Sequence, residues 1–413
     1  MMKRRVVITG MGTVNPLGNS VEDSWKRVRA NECGIGEIKS FDTSDFPVKL
    51  AGEVKDFNPD EIIGKKEARR MARFTQLAVA AADEAVKDSG IDFKTEDTER
   101  CGVIVSSGIG GLSTIEEEHA KGMEKGFSKV SPFFIPMAIS NMSAGQIAIR
   151  FGLHAMCSCV VTACAGGNNA IGDAFRQVRD GYSDVMVCGG SESCITALGV
   201  GGFASLKALN TTDDVARASI PFDKERNGFV IAEGAGILVI EELEHAIGRG
   251  AKIYAELCGY GANCDAYHIT APDPEGNGGA KCMSLALSDA DMRPEDIDYI
   301  NAHGTSTHMN DSCETKAVRK AFGSWADKLM VSSTKSMTGH MLGGAGAVEA
   351  VFTTLAVKEN FVPATINYKV PDEECDLDVV PNEGRNMLVR AAVSNTLGFG
   401  GHNASLVIRK YEK

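Results

Sequence analysis

Short apolar runs that stop at glycine alternate along the chain with longer stretches in which apolar side chains recur at helical spacing. The runs read as buried strands and the periodic stretches as helices with one covered face. In the first part this predicts strands at Lys3–Thr9, Cys101–Ser106, Asp184–Gly190 and Ala235–Glu241. Helices are predicted at Val21–Ala30, Lys66–Ser89 and Asn141–Phe151. Ala208–Asn227 is polar and loop-like, and the chain breaks at Gly248-Arg249-Gly250. A similar order then recurs, with strands at Ile253–Gly261, Ile297–Asn301 and Ala391–Asn395 and helices at Gly278–Ala290, Ser312–Phe322 and Gly343–Val357. Strand and helix alternating in this way imply an α/β fold whose sheets are covered by helices. Two comparable halves, 1–250 and 251–413, imply an internal duplication, and with no Pro- or Ser-rich linker the halves are expected to pack as one body.

One apolar run breaks the pattern chemically. Val160-Val161-Thr162-Ala163-Cys164-Ala165-Gly166-Gly167 reads as a buried strand and a sharp turn leading into a helix, Asn168–Arg179, with a thiol at the turn. A sulfur at a helix N-terminus faces unpaired N–H groups and the positive end of the helix dipole, which favour thiolate. Ala163, Ala165, Gly166 and Gly167 are small enough to let a substrate approach it. A cysteine taken at random is more often a small core residue. Two remote histidines reverse that reading. His303, in Asn301-Ala302-His303-Gly304-Thr305-Ser306-Thr307, follows a predicted strand, and His340, in Lys335-Ser336-Met337-Thr338-Gly339-His340, precedes a Gly/Ala-rich helix. Both lie at element ends, where functional groups are displayed, and point to a Cys-His-His site assembled by folding.

Charge and composition narrow the partners. A net charge of −12 argues against nucleic acid. No stretch is long and apolar enough for a membrane span, and the N-terminal apolar run is too short for a signal peptide, so a cytoplasmic protein is expected. The 12 cysteines are spread through a long chain, several inside apolar runs (Cys101, Cys188, Cys258), and read as reduced. His154, Cys157 and Cys159 lack a second ligand pair and read as no metal site. Gly10-Met11-Gly12 reads as a tight turn rather than a dinucleotide loop, because the third glycine of that motif would fall at Asn15. Against the acidic background, Lys65, Lys66, Arg69, Arg70 and Arg73 form a basic cluster at a helix start.

Val161-Thr162-Ala163-Cys164, His303-Gly304-Thr305-Ser306-Thr307, Lys335-Ser336-Met337-Thr338-Gly339-His340 and Gly398-Phe399-Gly400-Gly401 together resemble the β-ketoacyl acyl-carrier-protein synthases. The resemblance spans nearly the whole chain, including Pro221–Phe229 and Ala232–Gly236, and is closer to the elongating synthase II branch than to the initiating enzymes. It implies a thiolase-like fold, two duplicated α/β halves in a five-layered α-β-α-β-α sandwich, usually a homodimer. It implies an acyltransferase that performs a decarboxylative Claisen condensation. Cys164 would carry the acyl chain, and the backbone N–H groups of Cys164 and Phe399 would form the oxyanion hole. His303 and His340 would stabilise the enolate left by malonyl decarboxylation. Lys335 and Glu349 would support them, with Lys335 biasing His303 toward its neutral form.

On the same resemblance, Thr270, Thr305 and Thr307 would hold the phosphopantetheine arm, Ile109 and Gly400 would contact substrate, and Phe399 would gate the acyl pocket. No cofactor is required, since the substrates arrive as phosphopantetheine thioesters on acyl carrier protein. No metal is required either, although Asn301, Glu349, Ser394 and Asn395 match a monovalent cation site of some relatives. Carrier proteins are acidic, so Lys65, Lys66, Arg69 and Lys207, with Lys129, become docking candidates. His402, Leu397 and Asn168-Asn169 depart from the family pattern and bear on acyl-chain preference. A degradative thiolase would need a second catalytic cysteine where Gly398-Phe399-Gly400 has none, and a chain-length-factor subunit would lack the nucleophile. A polyketide or aryl-polyene ketosynthase, which runs the same reaction, remains the alternative.

Overall fold

The computed structural model describes residues 4–412, and its first strand, β1 (Val6–Val14), is buried along its whole length in the middle of a ten-stranded sheet. The first half adds β2 (Cys101–Ser106), β3 (Cys157–Ser158), β4 (Val185–Glu192) and β5 (Gly234–Glu242). The second half supplies β6 (Ala255–Cys264), β7 (Tyr299–Asn301), β8 (Met330–Ser332), β9 (Ala391–Gly398) and β10 (His402–Arg409). Their order is β8-β7-β9-β10-β6-β1-β5-β4-β2-β3, which is the same five-stranded unit read outward in both directions. In each unit the first strand pairs antiparallel with the fifth, the fifth antiparallel with the fourth, and the outer strands are parallel. The units join where Val6–Ile8 of β1 meets Ala255–Leu257 of β6.

Helices repeat in step with the strands. The first half contains α1 (Val21–Arg29), α2 (Lys65–Ala68), α3 (Arg73–Ser89), α4 (Leu112–Lys125), α5 (Met142–Phe151), α6 (Gly166–Arg179) and α7 (Ala197–Ser205). The second contains α8 (Asn277–Asp289), α9 (His308–Phe322) and α10 (Ala345–Glu359). α3 packs on β1 and β5, α8 on β6 and β10, and α6 and α10 lie between the two halves against strands of both. α10 is buried on every side from Ala345 to Val357, as a helix sandwiched between sheets must be. Separate hydrophobic clusters fill the middle layer and the two outer ones, which makes the five layers α-β-α-β-α.

Three local readings change. β1 does not turn at Gly10-Met11-Gly12 but runs through it with a bulge after Ile8, and its expected start at Lys3 lies outside the described residues. Those glycines answer to packing: a Cβ on Gly10 would lie 2.2 Å from the Ala85 carbonyl oxygen, and one on Gly12 1.9 Å from that of Ala81, both on α3. The expected helix Lys66–Ser89 is two helices, broken at Arg69–Ala72. Val160–Thr162 is not a strand; the strand is Cys157–Ser158, and Val161 is 56% exposed. An apolar run need not be buried when the fold places it at a sheet edge. α4, α7 and β10 carried weak signals: α4 buries only part of one face, α7 holds three glycines, and β10 begins with two polar residues.

A polar knot ties β5 to the helix that follows it. His245 bonds Glu241 through Nδ1 (2.8 Å) and Glu96 through Nε2 (3.0 Å), and Arg249 and Thr9 also donate to Glu241. These two carboxylates, Glu241 first, raise the imidazole from its ordinary 6.5 to about 9. A folded-state value above the unfolded one means that the stabilisation is complete below about pH 6.5 and lost as pH rises through about 9. His245→Gln should therefore cost about 1–2 kcal/mol at pH 6 and close to nothing by about pH 10. Urea unfolding of both proteins across that range measures it, and a pH-independent difference would rule out the ion pairs as its source.

Candidate active site

Cys164 sits in the middle of one tight turn, Ala163–Ala165, that feeds directly into α6, and Ala163 takes a left-handed φ of +48°. The second half makes the same turn at Leu342–Gly344 before α10, with Leu342 at +46°. Strain of this kind at a non-glycine residue persists only where surrounding structure enforces it. Here the duplication repeats it, placing the Cys164 turn and the loop after His340 at equivalent ends of the two central helices. His303 comes from the end of β7.

These three elements bring the sulfur and one ring nitrogen of each histidine within 4.8 Å of one another, all three residues buried. The imidazoles meet edge to face, with centroids 5.2 Å apart at 86°, and Phe229 also packs edge to face against His340 at 5.2 Å. The backbone N–H groups of Cys164 and Phe399 both donate toward the sulfur. That approach requires glycine at 398, where a Cβ would lie 3.2 Å from the Cys164 nitrogen and 2.9 Å from the Thr162 carbonyl oxygen.

Burial sets the protonation states. It pushes the Cys164 thiol up to about 12, against the opposing pull of Lys335 and the two amides. This corrects the expectation of a resting thiolate: the helix start does face the sulfur, but the water that would solvate an anion is excluded. Burial first and the Lys335 cation second hold His303 and His340 well below the usual imidazole range, with His340 adding to the effect on His303. Both rings are neutral. Lys335 and Glu349, each 1% exposed, bond to one another, and burial pushes the Glu349 carboxyl up to about 7 against that pairing.

Two acidic residues that escaped the sequence reading hold the His303 loop. Glu314 accepts the N–H groups of His303 and Gly304, both at 2.8 Å. Asp311 accepts those of Thr305 (3.0 Å) and Ser306 (3.2 Å). They lie three residues apart on one face of α9, immediately after the histidine motif, and that spacing was the available signal.

A cavity of about 350 Å³ opens over the cluster, lined by Cys164, His303, His340, Phe399, Thr305, Thr307 and Thr270, with Leu397 in its wall and Lys207 at its edge. Ile109, Gly400, Lys65, Lys66 and Arg69 do not line it. Lys65, Lys66 and Arg69 are exposed, whereas Arg73 is committed to Glu233 at 2.6 and 2.7 Å and is no free surface charge. Behind the site, Asn301 and Ser394 are register partners on β7 and β9. Asn301 Oδ1, Ser394 Oγ and Glu349 Oε2 are buried without a hydrogen-bond partner among the described residues, and oxygens of this kind fit a monovalent cation, whereas the equally unpaired Asn301 Nδ2 can only donate. Asn395 fits less well, because Ser405 donates to its Oδ1 and its Nδ2 faces the Met283 sulfur. His154 and Cys159 make other bonds, to Thr98 and to the Ser140 carbonyl.

The same chain matches the Beta-ketoacyl synthase N-terminal domain over residues 3–246 and the Beta-ketoacyl synthase C-terminal domain over residues 254–369. It is 52% identical to 3-oxoacyl-[acyl-carrier-protein] synthase 2 of Staphylococcus aureus and 50% identical to that of Synechocystis sp., covering 99% of both chains in each case. Among solved structures it superposes on a β-ketoacyl synthase from Burkholderia phymatum with a TM-score of 0.91 at 34% identity, over 99% of this chain and all of that one. It also superposes on a ketosynthase in complex with a type II polyketide acyl-carrier protein, with a TM-score of 0.90 at 34% identity over the full length of both. A two-domain match and relatives of equal length at half identity leave one conclusion: the chain belongs to the β-ketoacyl synthase family.

Proposed function

We propose that the protein is an elongating 3-oxoacyl-[acyl-carrier-protein] synthase, which condenses an acyl chain held on Cys164 with a malonyl group delivered by acyl carrier protein. The observation that carries this reading is the sulfur and two neutral imidazoles gathered at the floor of one cavity. In loading, Cys164 attacks the carrier thioester; the acyl–sulfur bond to the carrier breaks, and the proton of the Cys164 thiol leaves on the carrier thiol. The amides of Cys164 and Phe399 receive the oxyanion of the tetrahedral intermediate. In the second step the malonyl group loses carbon dioxide, and the electron pair of the broken C–C bond becomes an enolate. Neutral His303 and His340 donate N–H bonds to its oxygen, with burial and the Lys335 cation keeping them uncharged and Glu349 pairing with Lys335. The enolate carbon then attacks the acyl-cysteine and the bond to Cys164 breaks; the sulfur leaves as a thiolate that takes up one proton from water to regain the thiol, and a β-ketoacyl chain two carbons longer leaves on the carrier.

No cofactor takes part, and phosphopantetheine enters with the substrate along Thr270, Thr305 and Thr307. A cation at Asn301, Glu349 and Ser394 would buffer the charge of the Lys335 pair. Fatty-acid elongation is favoured over polyketide extension because relatives named 3-oxoacyl-[acyl-carrier-protein] synthase 2 reach 50–52% identity, against 34% for the ketosynthase of a type II polyketide system. Lys207 at the cavity edge and the exposed Lys65, Lys66 and Arg69 give an acidic carrier a landing surface on a protein of net charge −12. No helix among the described residues is long and apolar enough to cross a membrane, and the protein works in the cytoplasm as a homodimer. The two-residue edge strand β3 and the exposed Ile135, Ile149, Met156 and Val161 supply a face for the second copy.

Mass spectrometry after exposure to acyl carrier protein tests the assignment. Cys164→Ala should take up no acyl group. His303→Ala should load normally yet lose decarboxylation and condensation by at least about 100-fold. An unmodified Cys164 in the wild type would defeat the reading. Charge reversal of Lys65, Lys66 and Arg69 together should raise KM for malonyl carrier protein by about tenfold while leaving kinetics with a small-molecule thioester unchanged. Equal losses with both substrates would remove these residues from the docking surface.

A further inference from the structure

Glu192, the last residue of β4, is fully buried and forms no salt bridge among the described residues. Its carboxylate is satisfied by four donors drawn from two separate loops. Oε1 accepts from Ser107 Oγ (2.9 Å) and the Ile109 N–H (3.2 Å), and Oε2 from the N–H groups of Gly108 (2.7 Å) and Gly343 (3.1 Å). The first loop connects β2 to α4; the second is the turn that follows His340 and starts α10. Their backbones meet so closely that a Cβ on Gly343 would lie 2.5 Å from the Gly108 nitrogen and 2.9 Å from Glu192 Oε2. On the other side, a Cβ on Gly167, in the helix begun by the Cys164 turn, would lie 3.2 Å from the Gly343 carbonyl oxygen, and one on Gly190 2.5 Å from it. Burying a carboxylate without a cation is costly unless its lone pairs are filled by donors, and here the four donors that fill them belong to two loops beside the nucleophile, with the nearby Cys194 thiol also facing Glu192.

We propose that Glu192 is a positioning residue for the condensation: it clamps the Ser107–Ile109 loop to the Gly343 turn and so sets the register between the acyl group on Cys164 and the imidazole of His340. The inference rests on the condensing-enzyme reading above and adds a residue to it. Capture of the acyl group depends on the sulfur and the oxyanion donors, which Glu192 does not touch. Carbon–carbon bond formation depends on the register of two reactants, and misplacement by an ångström is enough to slow it on the order of 10²-fold.

Glu192→Gln keeps the shape but turns an amide donor toward backbone N–H groups. In the full-length variant, with folding checked by circular dichroism and melting, loading of a short acyl group should stay within about threefold of wild type. The condensation kcat should fall about 10- to 100-fold with KM for malonyl carrier protein little changed. Ser107→Ala, which removes one donor and leaves the carboxylate, should lower the same kcat by a smaller factor, and it carries the test if the first variant does not fold. A condensation kcat within about twofold of wild type would overturn the proposal, as would loading and condensation falling together in proportion to the folded fraction. Absence of acyl loading in the wild type would overturn this proposal and the condensing-enzyme reading together.

Discussion

Backbone-to-backbone contact between the two central helices is the constraint on which the remaining structure depends. A Cβ on Gly167 of α6 would lie 2.6 Å from the Ala347 nitrogen of α10, one on Gly236 of β5 2.5 Å from the Val348 nitrogen, and one on Gly346 2.8 Å from Asn168 Oδ1. Any larger side chain at these points would separate the halves. Close packing at native density propagates such a displacement rather than absorbing it. The sulfur, carried at the start of one central helix, and His340, carried just before the other, meet only because that seam is closed.

Closure also fixes the electrostatics. Cys164, His303, His340, Lys335 and Glu349 all lose water at the same seam, and the Lys335–Glu349 ion pair is buried together with the cluster. A buried pair of this kind adds little net stability. Its use is local: the Lys335 cation adds to burial in keeping both imidazoles neutral, the form that donates a hydrogen bond to a developing enolate oxygen without first giving up a proton. A neutral thiol between neutral imidazoles suits a reaction whose intermediate is a carbanion equivalent, because no acidic proton waits beside the reacting carbon.

The supporting shell follows one rule throughout. Backbone N–H groups of loops that have left their strands are collected by buried carboxylates: Glu314 and Asp311 under the His303 loop, Glu192 under the Ser107–Ile109 loop and the Gly343 turn. Each carboxylate replaces the sheet partner that the loop has lost. The catalytic loops are therefore irregular in outline yet held at several points each.

Much of this was legible along the chain. The alternation of strand and helix, the repetition beyond Gly250, and a thiol and two histidines at element ends follow from local pattern and from side-chain chemistry, which need only neighbours in sequence. Where packing partners decide, the pattern misled. Gly10 and Gly12 looked like a turn because nothing in sequence shows α3 lying against β1, and Val161 looked buried because apolarity does not record a sheet edge. The resting thiol at Cys164 is a consequence of how much water three distant segments exclude. Glu192, Glu314 and Asp311 read as ordinary acidic residues until folding places unpaired amides around them. Sequence determined the reaction's participants and the duplicated architecture, since both are written in residue type and period. Tertiary structure alone decided their charge states, their spacing and their supports, because burial and hydrogen-bond pairing join residues that lie far apart along the chain.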